Sequence, residues 1–183
     1  IRYQSTSAGN LFCDALKMQF ELDIVMLGSG SLRAEEIGPI ITVGDLLNMY
    51  PYDETLVRIE LTGKELKKGI LHAMKKSVSV DGIVLEYYQF SKGVRMVYST
   101  GRQVLTDAVF NGEEIRDQDV FAGGLELFHY NNIDSFLGLD REIIEQRKPA
   151  RTVTGNIRTA IEEYFREHNA LRPVYEKRTI TTV

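Results

Sequence analysis

The sequence has 183 residues, 43% of them hydrophobic and 26% charged, a balance that suits one globular domain with a real core and excludes a disordered chain. A net charge of −4 and a pI near 5.5 supply no basic field for a phosphate backbone, so no nucleic-acid partner is expected. The longest apolar runs, residues 23–27 and 38–43, fall far short of the roughly 20 residues that a membrane span needs.

The chain opens on Ile1, directly on patterned sequence and without a signal peptide, as expected of a segment that starts at a domain boundary. The first element reads as a helix over about 10–20, where Leu11, Ala15 and Met18 keep helical spacing. Cys13 lies on its apolar face. As the single cysteine it has no internal partner, and it is expected as a buried, inert thiol that leaves the redox compartment open. Residues 23–27 form a short apolar run that predicts a buried strand emptying into Gly28-Ser29-Gly30-Ser31-Leu32-Arg33.

Residues 42–49 predict a short helix capped by Thr42, with Asp45 in its first turn and Pro51 beyond its end. In 56–61, Val57, Ile59 and Leu61 alternate with Leu56, Arg58 and Glu60, the pattern of a half-buried strand. Thr62-Gly63-Lys64-Glu65 has capping-box spacing and opens a helix to about 76, with Leu66, Ile70, Leu71 and Met74 facing inward. From 82 to about 127 the texture is strand-like, broken by turn signals at Lys92-Gly93, Thr100-Gly101 and Asn111-Gly112. Residues 131–138 read as a polar loop bearing aromatics, 154–169 as an amphipathic helix and 174–183 as a final strand. Helices and strands mix without strict βαβ alternation, which predicts an α+β (mixed α/β) fold: one domain over 1–183 with a mixed sheet, flanking helices and a strand-rich middle.

Few residues offer chemistry. A strand running into Gly28-Ser29-Gly30 invites a dinucleotide reading, but Arg33 stands where the third glycine belongs and no acidic residue follows at the right distance. What is left is either a surface turn with a solvated arginine or a set of open backbone amides beside a rigid donor fork. His72, His129 and His168 are scattered, with no metal-ligand spacing, and no nucleophile elbow or Cys–His pairing occurs. The run Phe128-His129-Tyr130-Asn131-Asn132-Ile133-Asp134-Ser135-Phe136 is unusual for a loop. Its aromatics either plug the core or offer a flat face with amide and carboxylate neighbours, suited to a ligand that stacks and hydrogen-bonds, such as a nucleobase.

Taken in order, five segments resemble the C-terminal domain of the 5′-nucleotidase family of metallophosphoesterases. They are Gly9-Asn10-Leu11 with Asp14-Ala15, the Gly-rich loop ending in Arg33, Ile41-Thr42-Val43-Gly44-Asp45-Leu46 leading to Pro51-Tyr52, Leu61-Thr62-Gly63-Lys64-Glu65-Leu66, and the Phe128…Asn131…Asp134…Phe136 run. The resemblance implies a substrate-recognition domain that grips the nucleoside part of a nucleotide. The catalytic residues and two divalent metal ions would sit on an N-terminal domain preceding residue 1, to which this one is hinged; no cofactor is expected in this domain. Family members are commonly periplasmic, secreted or at the cell surface.

By this resemblance Tyr52 and Phe128 are the aromatic pair that sandwiches the base. Arg33 contacts the ribose or phosphate side, Asp134 binds ribose hydroxyls, and Gly30 and Asn131 complete the substrate-binding set. Three features depart from the family pattern: Gly28 stands at an asparagine of the Asn-Gly-Gly-x-x-Arg loop, Asn132-Ile133-Asp134-Ser135 replaces Gly-Gly-Asp-Gly, and Gln4-Ser5 replaces an ionic residue. Two other readings follow from these departures: a binding or structural module serving a non-nucleotide substrate, or a domain that chiefly packs against its catalytic partner.

Overall fold

The hydrophobic alternation along the strands divides the apolar side chains between two cores, one on each face of a five-stranded sheet. The structure, a computed structural model, describes residues 4–34, 37–77, 86–168 and 175–183. In chain order the elements are α1 (Ser7–Gln19), β1 (Ile24–Gly28), a 3-10 turn (Ser29–Ser31), α2 (Val43–Met49), β2 (Leu56–Thr62), α3 (Gly63–Ser77), β3 (Tyr88–Phe90), β4 (Val94–Ser99), β5 (Val104–Phe110) and β6 (Glu113–Glu114). Then follow β7 (Val120–Glu126), α4 (Leu127–Asn131), α5 (Ile133–Leu137), α6 (Arg141–Arg147), β8 (Arg151–Thr154), α7 (Ile157–Glu167) and β9 (Thr179–Thr182).

The main sheet has the order β3-β1-β7-β2-β8, with β1 and β7 parallel and the other pairs antiparallel. A second sheet, β6-β5-β4-β9, is also mixed, because β9 returns parallel to β4. On one face of the main sheet Ile24, Met26, Val57, Ile59 and Leu61 pack with α3 and β4. On the other, Val25, Leu27 and Leu56 pack with α1, α2 and α7. This is the mixed α+β architecture expected from the interleaving of element types.

Local chemistry sets most boundaries. At α2, Thr42 accepts from the Asp45 amide at 3.2 Å while the Asp45 carboxylate accepts from the Thr42 amide at 2.8 Å. Thr62 and Glu65 repeat this reciprocal cap at α3, with the same two distances. The first helix starts three residues ahead of the predicted Asn10, because the Thr6 hydroxyl accepts from the Gly9 amide at 3.0 Å and caps it. The amphipathic helix predicted from Thr154 begins at Ile157: Thr154 ends β8, and Asn156 caps α7 by accepting from the Thr159 amide. The last strand is limited to Thr179–Thr182. The strand start expected at Gly82, the helix end at Asn169 and the strand start at Val174 lie outside the described residues.

The predicted loop over 131–138 is corrected. Residues 127–137 form two one-turn helices, α4 and α5, broken at Asn132 and closed by Gly138 in the left-handed region at φ 61°. Each is only five residues long, so neither repeats the 3.6-residue period that reveals a helix in sequence. Buried Cys13 donates to the Gln89 carbonyl at 3.3 Å, and burial pushes its thiol well up, away from the reactive thiolate.

Candidate functional site

Three segments meet at one end of the main sheet, beyond the C-terminal ends of its inner strands β1 and β7. β1 stops at Gly28 and turns through Ser29–Ser31 toward Arg33, whose amide donates to the Met49 carbonyl of α2 at 2.8 Å. The segment after α2 is turned by Pro51 and presents Tyr52 and Glu54. Where β7 passes into α4, it presents Glu126, Phe128 and His129. The Leu127 amide donates to the Thr55 carbonyl at 2.8 Å and ties the second segment to the third. Gly30, Ser31, Arg33, Tyr52, Glu54, Glu86, Glu126, Phe128 and His129 together line a cleft of about 320 Å³, within the range of small-molecule sites.

Its rim is aromatic and cationic. Phe128 is 55% exposed and Tyr52 39% exposed, although large apolar rings at a concave site are normally covered. Each ring is buttressed edge-on from behind, Tyr52 by buried Tyr50 at 6.2 Å and Phe128 by Phe136 at 5.7 Å between centroids. Arg33 donates to the Tyr52 hydroxyl, and its guanidinium lies 5.5 Å from the Tyr52 ring centre.

The floor is a buried charge network. Glu126 is 1% exposed. One of its oxygens accepts from the Tyr50 hydroxyl at 2.8 Å; the other accepts from the Gly28 amide and from His129 Nδ1, both at 2.8 Å. On its far side His129 Nε2 lies 3.6 Å from a Glu86 oxygen. Burial pulls the imidazole down, but the Glu126 and Glu86 carboxylates outweigh it and push the ring up to about 9, so it is cationic at neutral pH. Burial pushes the Glu86 carboxyl up in turn, and the His129 cation with donors from Gly30 and Ser29 brings it below the usual carboxylate range.

Gly28 is explained by this network. A Cβ built on it would fall inside the contact radius of His129 Cε1, so the ring fills the space a side chain at 28 would need. Sequence reasoning placed His129 only in an aromatic run and passed over Glu86 and Glu126. The sole signal was the three-residue spacing from Glu126 to His129, which becomes a contact because α4 starts between them.

Of the six residues expected at the site, Gly30, Arg33, Tyr52 and Phe128 line this cleft. Asn131 and Asp134 do not: they line a separate, open hollow with Lys68 and Arg141. For Asp134 the reason is the helical turn of α5. Phe136 packs toward the cleft against Phe128 and His129, and a residue two positions earlier on a helix points to nearly the opposite side. Of the other histidines, His72 meets the Ser135 carbonyl at 3.1 Å and His168 the Tyr164 carbonyl at 2.9 Å. Among the described residues no three His, Cys, Asp or Glu side chains are grouped so as to hold a metal ion, and no helix is long and apolar enough to cross a membrane.

Similarity to known proteins agrees with this architecture. The chain is similar to the 5'-nucleotidase precursor from Thermus thermophilus, with a TM-score of 0.78 and 20% identity, covering 99% of this chain and 36% of that one. Similarity to the NAD nucleotidase of Haemophilus influenzae has a TM-score of 0.79 at 15% identity and covers 98% of this chain and 34% of the other. In sequence, 112 residues are 30% identical to Endonuclease YhcR of Bacillus subtilis (strain 168), covering 57% of this chain and 9% of that protein. The chain thus spans about a third of the solved chains and less than a tenth of the endonuclease. The family model described as 5'-nucleotidase, C-terminal domain, matches residues 1–137, and the chain belongs to that family.

Proposed function

We propose that this domain recognises the nucleoside part of a nucleotide, presenting its phosphate ester to a metal-bearing catalytic domain of the same protein. The observation that carries this reading is the cleft shared by two exposed rings from distant segments, Tyr52 and Phe128, with Arg33 at its rim. A planar base suits the ring pair, because each face of a heterocycle gains dispersion and quadrupole contact from an aromatic neighbour. Arg33 supplies donors and positive charge for the ribose or phosphate end. The divalent ions expected on the catalytic domain would polarise the phosphoryl group and activate water. This chain's own contribution is binding and orientation, worth rate because a held substrate reacts as if at high local concentration.

Calorimetric titration of the chain with adenosine, AMP and a UDP-sugar, beside a Phe128→Ala variant, tests the proposal. Phe128→Ala is expected to lose about 1–3 kcal/mol of binding, roughly five- to 150-fold in affinity. Equal affinity in the variant, or no heat from any of the three with folded protein, would contradict the reading.

A further inference from the structure

We propose that Glu86 decides which bases the cleft accepts: its free carboxylate oxygen selects a ring that bears an exocyclic amino group over the same ring without one. This rests on the nucleoside-binding reading and adds to it a residue that the sequence motifs did not single out.

Three carboxylates line the cleft, Glu54, Glu86 and Glu126. Both oxygens of Glu126 are engaged, one by Tyr50 and the other by Gly28 and His129, and the residue is buried. One oxygen of Glu54 accepts from the Thr55 and Phe128 amides at 3.2 and 3.3 Å, longer and weaker contacts, directly after the exposed residues 51–53. Glu86 differs from both. Its Oε1 accepts from the Ser29 hydroxyl and the Gly30 amide, each at 2.8 Å, which fixes the side chain in place. Among the described residues the donor near its Oε2 is His129 Nε2, at 3.6 Å, an ion-pair distance beyond hydrogen-bond length. Gly30 leaves that oxygen uncovered: a Cβ there would lie 3.0 Å from Oε2. Glu86 thus combines a 13% exposed side chain, rigid anchoring, and an oxygen at the cleft that accepts no hydrogen bond from the described residues.

A carboxylate only accepts, so whatever completes it must carry an N–H or O–H. Charge fixes which end of a nucleotide arrives there. Three carboxylates, Glu86, Glu126 and Glu54, outnumber the one cation among them, His129, so a phosphate is repelled there and drawn to Arg33, which leaves the base end for the floor. An amino group on the base would give Oε2 a charge-assisted hydrogen bond, whereas a ring without one leaves that oxygen half-covered, with the His129 imidazolium at 3.6 Å as its neighbour among the described residues.

The test compares adenosine with purine riboside, which lacks only the 6-amino group, by calorimetric titration of the chain and of Glu86→Gln. Unaltered protein is expected to bind adenosine about tenfold or more tightly than purine riboside. Glu86→Gln, which keeps an acceptor but loses the charge, is expected to narrow that ratio to about threefold or less. 2′-Deoxyadenosine is expected to bind as adenosine does. Equal binding of adenosine and purine riboside by unaltered protein overturns the role of Glu86 while leaving the cleft reading intact, and that comparison needs no variant to fold. Weakened 2′-deoxyadenosine binding that Glu86→Gln erases would move the contact to a ribose hydroxyl and overturn it likewise. Absence of binding by both ribosides overturns both readings together.

Discussion

His129→Ala is expected to destabilise the chain by about 3–5 kcal/mol, the usual result of removing one partner from a buried ion pair. Without the imidazolium, the carboxylate of buried Glu126 keeps only the Tyr50 hydroxyl and the Gly28 amide. The ring also packs edge-on against Tyr88, Phe128 and Phe136 at 5.3, 5.5 and 4.6 Å between centroids, so its loss opens a cavity beneath the cleft. The pH dependence carries a definite sign. His129 titrates near 9 when folded against 6.5 ordinarily, so its stabilisation is fully present below about pH 6.5 and fades as pH rises through about 9. The groups facing it are Glu126 and Glu86, with the Tyr88 ring and the Tyr50 hydroxyl beyond them. Both hydroxyls are pushed up, by burial first and by these carboxylates next, and stay protonated through that window. Urea unfolding at pH 6 and pH 9.5 should therefore show unaltered protein losing stability on the alkaline side and His129→Ala losing less. A cost under about 1 kcal/mol, or the same alkaline loss in both proteins, would contradict the network.

Arg178→Ala is expected to cost about 3 kcal/mol, for a related reason at the opposite end of the chain. The guanidinium is 2% exposed. It grips Asp14 of α1 with two bonds of 2.7 and 2.8 Å, and donates to the Phe90 carbonyl at 2.7 Å, the Asn10 carbonyl at 3.3 Å and Glu176 at 3.0 Å. One side chain thereby joins α1, the end of β3 and the approach to β9, elements far apart in sequence but needed together to close the second sheet on the first. The Asp14 side chain is 27% exposed and partly rehydrates when released, which holds the cost toward the lower end of the range for buried pairs. Arg178→Lys keeps the charge but not the planar fork, and should fall between the two. Equal stability of Arg178→Ala and unaltered protein in urea would show that the fork carries no net energy.

What the sequence made legible was the chemistry that acts within a few residues. Thr42 with Asp45 and Thr62 with Glu65 fixed two helix starts, Pro51 fixed a stop, and the alternation of Val57, Ile59 and Leu61 fixed the core face of β2. The ordered run of family segments placed Gly30, Arg33, Tyr52 and Phe128, which do line one cleft. The floor was not legible, because Glu86, Glu126 and His129 are brought together by the parallel pairing of β1 with β7 and the antiparallel pairing of β1 with β3. Strand pairing of that kind leaves no local spacing to detect. Asp134 lies apart from that cleft for a different reason. A loop reading lets every side chain of the run face the ligand, whereas a helical turn sends alternate residues to opposite sides.

The separation of the two hollows also bears on specificity. The one containing Asp134 is open and polar, bordered by Lys68, Arg141 and Glu142, and among the described residues lining it none is aromatic. The cleft containing Phe128 has both rings, a cation at the rim and a fixed acceptor at the floor.

Mapping adenosine onto the 15N-labelled chain by amide chemical-shift changes decides which hollow takes the base. The largest shifts are expected at Gly30, Ser31, Arg33, Tyr52 and Phe128, with Asp134 and residues 138–142 unmoved. Shifts concentrated at Asn131, Asp134 and Arg141, or none at saturating adenosine, would contradict it.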